Sequence, residues 1–404
     1  MIDSDEITAA LEKIAQNFEQ NYQDHELEGA GGWGQFLDGP RKDRQIGLYG
    51  TCAGLLVLSL AGRDDTQCTE GATKLLSNWW GDRVDGYGRL KFPQNPRLAF
   101  FSICLRNTPN ETAKNIAAEI EDELLSRAST AGRWGDYWLK KEIRASGYPY
   151  FPTALAALSL GILNPPTEKA SDCLKKAADF LNMTLATNSH LTSAEKGLIA
   201  AATLASSGSI NHGGRKVIKV VARGNIDTLS ENHTYFYEYQ YANPATSAEP
   251  LWERDTVFLY SEIMLGIAGF LPGAPGDLRL RAEAILRRLL KNINAQGSFR
   301  PLHDGRLSTV EQAWCSVLLA LARSDAPKKS GRLTKIRYAL LRQRGPNIFT
   351  EIIFPAIAVV IVAAVSSLSI NSLPFQVMKI LAPLAIYGLY GEKVIRKVLP
   401  DRSR

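Results

Sequence analysis

Six short apolar segments recur along the first 330 or so residues, and they constrain the fold more than any other feature of the chain. They read TCAGLLVLSLAG after Gly50, LAFFSICL after Arg97, PTALAALSLG after Phe151, SAEKGLIAAATLA after Thr192, TVFLYSEIMLGIAG after Asp255, and TVEQAWCSVLLALA after Ser308. Each is rich in small residues and nearly free of charge, as expected of a helix covered on every side. More polar helical patterns precede most of them, at Ile7 to Asn21, Glu70 to Trp80, Thr112 to Arg127, Glu168 to Leu185 and Arg279 to Asn292. A pair of helices every 55 residues or so is a repeat architecture with an inner and an outer layer.

A glycine-aromatic turn recurs between outer and inner helices: GGWGQF at Gly31, DGYGRL at Asp85, GRWGDYW at Gly132 and QGSFRPL at Gln296. Glycine supplies the positive backbone angle, and the aromatic fills the joint between neighbouring hairpins. These turns, with apolar T-A-x-x-L-x-x-L helices and the run Gln296, Gly297, Ser298 and Phe299, resemble the repeats of squalene and terpene cyclases and of protein prenyltransferase beta subunits. The resemblance covers roughly residues 5 to 325. It implies an all-α fold, an (α/α)6 toroid-like barrel over residues 1–327.

The cyclase likeness also implies an Asp-x-Asp-Asp-Thr acid at the start of an inner helix. Here Glu253, Arg254, Asp255 and Thr256 stand at the matching place, so Asp255 and Glu253 are the candidate catalytic residues. Arg254 replaces an acidic residue, and a cation beside Asp255 favours its ionised form. Asp255 therefore also reads as a helix cap or an ion-pair partner. Asp64, Asp65 and Thr66 follow an inner helix instead and read as a cap. The zinc triad of the prenyltransferases finds no match, since Ala313 stands two residues before Cys315 and His303 is the only histidine in that hairpin. No metal or cofactor is expected. Glu262 and Glu311, with Glu253 and Asp255, lie near inner-helix starts, where a sugar hydrolase would place a carboxylate pair.

Residues 213–249 break the repeat. A β-leaning KVIKVVA segment is followed by HTYFYEYQYANPA, expected as an inserted aromatic hairpin. His233, Tyr235, Phe236, Tyr237, Tyr239, Tyr241 and Trp252 form the candidate ligand or partner surface. The insertion either covers helix ends or binds a partner.

From Lys328 the composition changes. Ile352 to Ile370 is uncharged, and a weaker apolar run containing Lys379 follows Asn371 and Ser372. The pair reads as a transmembrane hairpin over residues 349–404. Basic residues flank both spans, including Arg332, Lys335, Arg337, Arg342 and Arg344 in a juxtamembrane linker over 328–348, which reads as an amphipathic helix or as a solvated segment. The positive-inside rule then places the body and the C-terminus in the cytoplasm of a membrane protein, expected at a bacterial inner membrane.

The net charge of +6 is concentrated in that C-terminal stretch, so the body before it is slightly acidic and no nucleic-acid partner is expected. Five cysteines without paired spacing argue against a disulfide framework. Taken together, these features predict a non-catalytic, membrane-anchored toroid that senses a ligand or protein and acts as a bacterial membrane effector by oligomerisation. Its expected partners are the lipid bilayer, an isoprenoid or other apolar ligand, and a protein or second copy of the chain. The alternative is a membrane-associated isoprenoid cyclase or prenyltransferase-like enzyme, with a glycan-processing enzyme third.

Overall fold

The computed structural model describes residues 3–39, 44, 46–64, 66–81, 95–135, 150–163, 166–191, 193–224, 234–240, 254–299 and 307–325. The chain divides into two units, Met1–Ala326 and Pro327–Arg404. The juxtamembrane linker and the hairpin anchor, with Arg332, Lys335, Arg337, Arg342, Arg344 and Lys379, lie outside the described residues. Among the described residues no helix is long and apolar enough to cross a membrane.

Twelve helices are described in the first unit. The outer ones are α1 (Ser4–Gln20), α3 (Gln67–Gly81), α5 (Glu111–Arg127), α7 (Glu168–Thr187), α9 (His212–Arg223) and α11 (Gly276–Gln296). The inner ones are α2 (Leu48–Leu60), α4 (Asn95–Arg106), α6 (Tyr150–Gly161), α8 (Ser193–Ser207), α10 (Ser261–Phe270) and α12 (Thr309–Asp325). Each inner helix packs on the next, and α12 returns to α2, which closes the ring. The outer helices bridge neighbouring pairs, with α1 packed on α2, α11 and α12. This is the α/α toroid that the repeats predict.

Composition explains the two layers. From Tyr150 to Gly161, α6 buries ten consecutive residues, Phe151 to Leu160, because it has protein on every side. Helix α1 buries Ile7, Ala10, Leu11, Ile14, Ala15 and Phe18 and turns its charges outward, the stripe of a helix with one wet face. Side-chain caps start several outer helices: Asn110, Thr167 and Asn211 accept from the backbone N–H of Ala113, Ala170 and Gly214.

The glycine-aromatic turns act as latches. The backbone N–H of Trp33 donates to Thr51 Oγ1 at 3.5 Å, that of Trp134 to Thr153 Oγ1 at 3.0 Å, and that of Phe299 to Gln312 Oε1 at 3.2 Å. All three acceptors lie in the first turn of an inner helix. The Trp33 and Trp134 indoles reach back to the outer helices, donating to Phe18 O at 2.7 Å and Leu124 O at 2.8 Å. Both rings are fully buried. Gly54 leaves room for one of them, since a Cβ there would stand 2.3 Å from the Trp33 ring. The DGYGRL turn lies outside the described residues.

The ring is sealed where its ends meet. Leu37 N donates to Leu307 O at 2.9 Å and Thr309 N to Gln35 O at 3.0 Å, while Phe36 and Ser308 form a β-bridge. Asn17 Nδ2 donates to Gly297 O at 2.7 Å, and Arg323 to Leu60 O at 3.1 Å. Residues about 260 to 280 positions apart are thereby held together.

Two expectations are corrected here. The KVIKVVA segment is helical, inside α9, because Gly214, Ile218 and Ala222 recur every fourth residue and bury one face while Asn211 caps the start. Conversely, the fifth inner helix begins at Ser261, and the residues before it form a strand. Strand β3 of the larger hairpin, Thr234–Gln240, pairs antiparallel with β4, Arg254–Tyr260. The β-branched and aromatic run Thr256 to Tyr260 suits the pleated ladder. The insertion therefore extends to Tyr260 rather than ending at Glu249. A second, two-residue pairing joins Gln23–Asp24 to Gly31–Gly32 at the first latch.

Candidate functional site

The first turns of the inner helices gather at one end of the barrel, and the side chains they carry differ from the aliphatic core below. From α2 comes Tyr49, from α4 Arg97 and Phe100, from α6 Tyr150, from α8 Glu195, and from α12 Glu311 and Trp314. The Tyr49 ring lies 5.7 Å from Phe100 and 5.2 Å from Phe101. Phe100 in turn lies 6.0 Å from Trp314. Helices α4 and α12 flank α2 on its two sides. The Phe100–Trp314 contact therefore spans two helices that each neighbour α2.

Charge is built into this aromatic floor. The Arg97 guanidinium sits 5.8 Å from the Tyr49 ring centre. Burial pushes the Tyr49 phenol up, against the opposing pull of Arg97. Glu311 is only 2% exposed, and its backbone N–H meets Ser308 Oγ at 3.4 Å. Its carboxylate reaches Cys315 electrostatically: burial, then Glu311, holds that thiol above its ordinary range. On α8, Glu195 is 7% exposed and accepts a short hydrogen bond from the Tyr150 hydroxyl on α6. Two buried carboxylates thus occupy equivalent first-turn positions on α8 and α12, with α10 between them in the ring.

Asp255 is not at an inner-helix start. It lies in β4, in register with Tyr239, and so cannot share a helical face with Glu262. Glu262 does start α10, but both its carboxylate oxygens accept from Arg288 Nη2 on α11, at 2.5 and 2.6 Å. That ties it to the outer layer. Tyr235, Phe236, Tyr237 and Tyr239 lie in β3; His233, Tyr241, Trp252 and Glu253 lie outside the described residues. Of the DDT run after α2, Thr66 serves as the cap, its Oγ1 accepting from Thr69 N at 3.3 Å.

Among the described residues no group of His, Cys, Asp and Glu is placed to hold a metal ion. All five cysteines are free thiols. A small apolar space of about 10 Å³ lies between the first two hairpins, lined by Cys52, Trp80, Phe101 and Ile120 among others. It would hold no more than a water-sized molecule and lies among aliphatic, aromatic and thiol side chains.

Sequence reasoning missed Tyr49, Arg97, Glu195 and Trp314. The latch offers the signal: Thr51, Thr153 and Gln312 mark the side of each inner helix that meets its turn. Tyr49 and Trp314 lie two residues to either side of such a position, roughly half a helical turn away.

No family model matches the chain, and no curated protein matches it. Among solved structures, an inactive variant of an alpha-1,6-mannanase, GH76A of Salegentibacter sp. HEL1_6, determined with alpha-1,6-mannotriose, is similar over 79% of this chain and 99% of its own, with 12% identity and a TM-score of 0.46. The likeness to terpene cyclases is not confirmed. The expectation of a non-catalytic, membrane-anchored sensor or effector, with an isoprenoid enzyme as its alternative, is corrected: the similar structure is a mannanase. The membrane assignment is corrected as far as the described residues reach: none of their helices is long and apolar enough to cross a membrane, and the segment read as the hairpin lies outside them. An isoprenoid or lipid partner has no support.

Proposed function

We propose that the chain is a glycan-processing toroid whose site lies at the mouth formed by the first turns of the inner helices. The observation that carries this reading is the buried Glu311 in the turn of α12 that also presents Trp314, above the Tyr49–Phe100–Trp314 floor. A sugar ring offers two kinds of surface. Its C–H face packs on aromatic rings, and its hydroxyls and ring oxygen need hydrogen-bonding groups at the edge. An end of the barrel that combines aromatic rings with a few converging polar groups fits that pattern.

Cleavage of a glycosidic bond needs one carboxyl group to protonate the leaving oxygen and a second to activate water or attack the sugar. Glu311 and Glu195 are assigned those two duties. Tyr150 orients Glu195 by its hydrogen bond. Arg97 beside Tyr49 adds positive potential at the same mouth. Glu262 is assigned to architecture because Arg288 holds both its oxygens.

The test is release of reducing ends from a panel of alpha- and beta-linked glycans, including alpha-mannan, by the full chain and by Glu311→Gln and Glu195→Gln variants. Loss of a general acid or base costs about 10² to 10⁴-fold in rate. Both variants are expected to fall by that order with an unchanged circular dichroism spectrum. Equal turnover by all three proteins would remove both glutamates from the chemistry.

A further inference from the structure

Two outer helices carry exposed faces of opposite charge. On α9 the residues turned to solvent include Arg215, Lys216, Lys219, Val220 and Arg223, and the helix holds no acidic residue. Val220 is 73% exposed, more than any other large apolar side chain among the described residues. Arg223 pairs with Asp277 at 3.1 Å and Arg215 donates to the Ile210 carbonyl at 2.7 Å, whereas Lys216 and Lys219 meet no carboxylate among the described residues.

On α1 the solvent side includes Asp5, Glu6, Ala9 and Glu12. The lysine of this helix, Lys13, donates to Asn294 at 2.9 Å, and the three carboxylates have no cation partner among the described residues. Asp5 and Glu6 suit the first turn of a helix, where the dipole favours negative charge. Glu12 on α1 and Lys216 on α9 lie outside the terminal turns, so the dipole gives neither a partner.

The two faces match in register. Val220 has Lys216 four residues before it and Arg223 three after, and Ala9 has Asp5 four residues before it and Glu12 three after. In each helix the flanking charges therefore stand about 10 Å apart along the axis. Laid side by side, the helices set Val220 against the small Ala9, with a cation opposite a carboxylate on either side. Within one copy α11 stands between the two helices in the outer ring, and both faces stay exposed.

We infer that the α9 face of one copy docks on the α1 face of the next, so that the chain associates head to tail, with Lys216, Lys219 and Val220 meeting Asp5, Ala9 and Glu12. Because the two surfaces differ, the contact is heterologous and builds a ring or an open series. Complementarity between exposed charges is screened by salt, so the association is salt-sensitive.

Sedimentation velocity of the full chain over a range of concentrations tests this. The wild-type mass is expected to rise with concentration at low salt, and the association constant to fall about tenfold in high salt. Lys216→Glu with Lys219→Glu should abolish the association, and so should Asp5→Lys with Glu12→Lys, all four positions being exposed. An equimolar mixture of the two double variants should restore it, because each supplies the charge that the other has lost. A wild-type chain that stays monomeric, or reversed variants that associate as the wild type does, would overturn the interface. A monomer that instead binds a polyanion such as heparin through Lys216 and Lys219 would assign the α9 face to an anionic ligand and overturn it as well.

Discussion

The rings of Phe100 on α4 and Trp314 on α12 lie 6.0 Å apart, although their helices are separated in the ring by α2. This contact ties the second and the last inner helices together and makes the floor on which Tyr49 rests. Both residues are almost fully buried.

Truncating Trp314 to Ala should therefore destabilise the first unit by about 3 to 5 kcal/mol, the usual cost of emptying a large aromatic site. Phe100→Ala should cost a similar amount. The two together should cost less than their sum, by the coupling of about 0.5 to 1.5 kcal/mol typical of an aromatic pair. A double-mutant cycle in urea unfolding measures all three quantities.

The latches make a second prediction. Thr153→Val keeps the shape of the side chain but leaves the Trp134 N–H, which donates at 3.0 Å, without its acceptor. The expected loss is about 1 to 3 kcal/mol. Gly54→Ala forces a methyl group against the Trp33 ring, 2.3 Å from the ideal Cβ, and should cost about 1 to 3 kcal/mol through displacement of the indole. Urea unfolding of each variant checks the values.

The architecture was largely legible in the sequence, and the reason is physical. Inner helices with protein on all sides need continuous apolar, small-residue runs, so α2, α6 and α12 announce themselves without periodicity. The glycine-aromatic turns are legible because Trp33 and Trp134 must be buried and hydrogen bonded in a joint of fixed geometry. The site was far less legible. Glu311 was visible as one carboxylate among several, but Glu195 gains its meaning from Tyr150, 45 positions away in sequence. Asp255 misled because T-V-F-L-Y satisfies both a buried helix and a strand. Only pairing with Thr234–Gln240 decides between them.

Alkaline pH should weaken the fold. Burial holds Cys173 up at about 11 and Tyr22 at about 12, and it raises Cys52, Cys104 and Cys315 as well. In the unfolded chain a thiol loses its proton near pH 8.5 and a phenol near 10. Above those values the unfolded state binds fewer protons than the folded one, so stability falls as pH rises. Full stability is expected up to about pH 8.5. The part from Cys173 should accumulate up to about pH 11, its folded value, while the part from the more deeply buried Cys52, Cys104 and Cys315 goes on growing above it. Thermal melts between neutral and strongly alkaline pH give the measurement.

The buried thiols carry a kinetic signature too. Cys52, Cys104 and Cys315 are buried, whereas Cys68 and Cys173 are only partly so. A thiol-specific reagent at neutral pH should label Cys68 and Cys173 first and reach the other three only on unfolding, because the thiolate is the reacting form. Mass mapping of the labelled peptides reads the order directly.

The central claim is that a glycan is held at the mouth between Glu195 and Glu311. A crystal structure of the Glu311→Gln variant with an oligosaccharide of the linkage that the wild-type chain cleaves tests it most directly. The account predicts sugar density among the first turns of α4, α8 and α12, with the glycosidic oxygen or the reacting carbon within hydrogen-bond reach of positions 195 and 311. An oligosaccharide bound to the outer helices, with the mouth left to solvent, would contradict it.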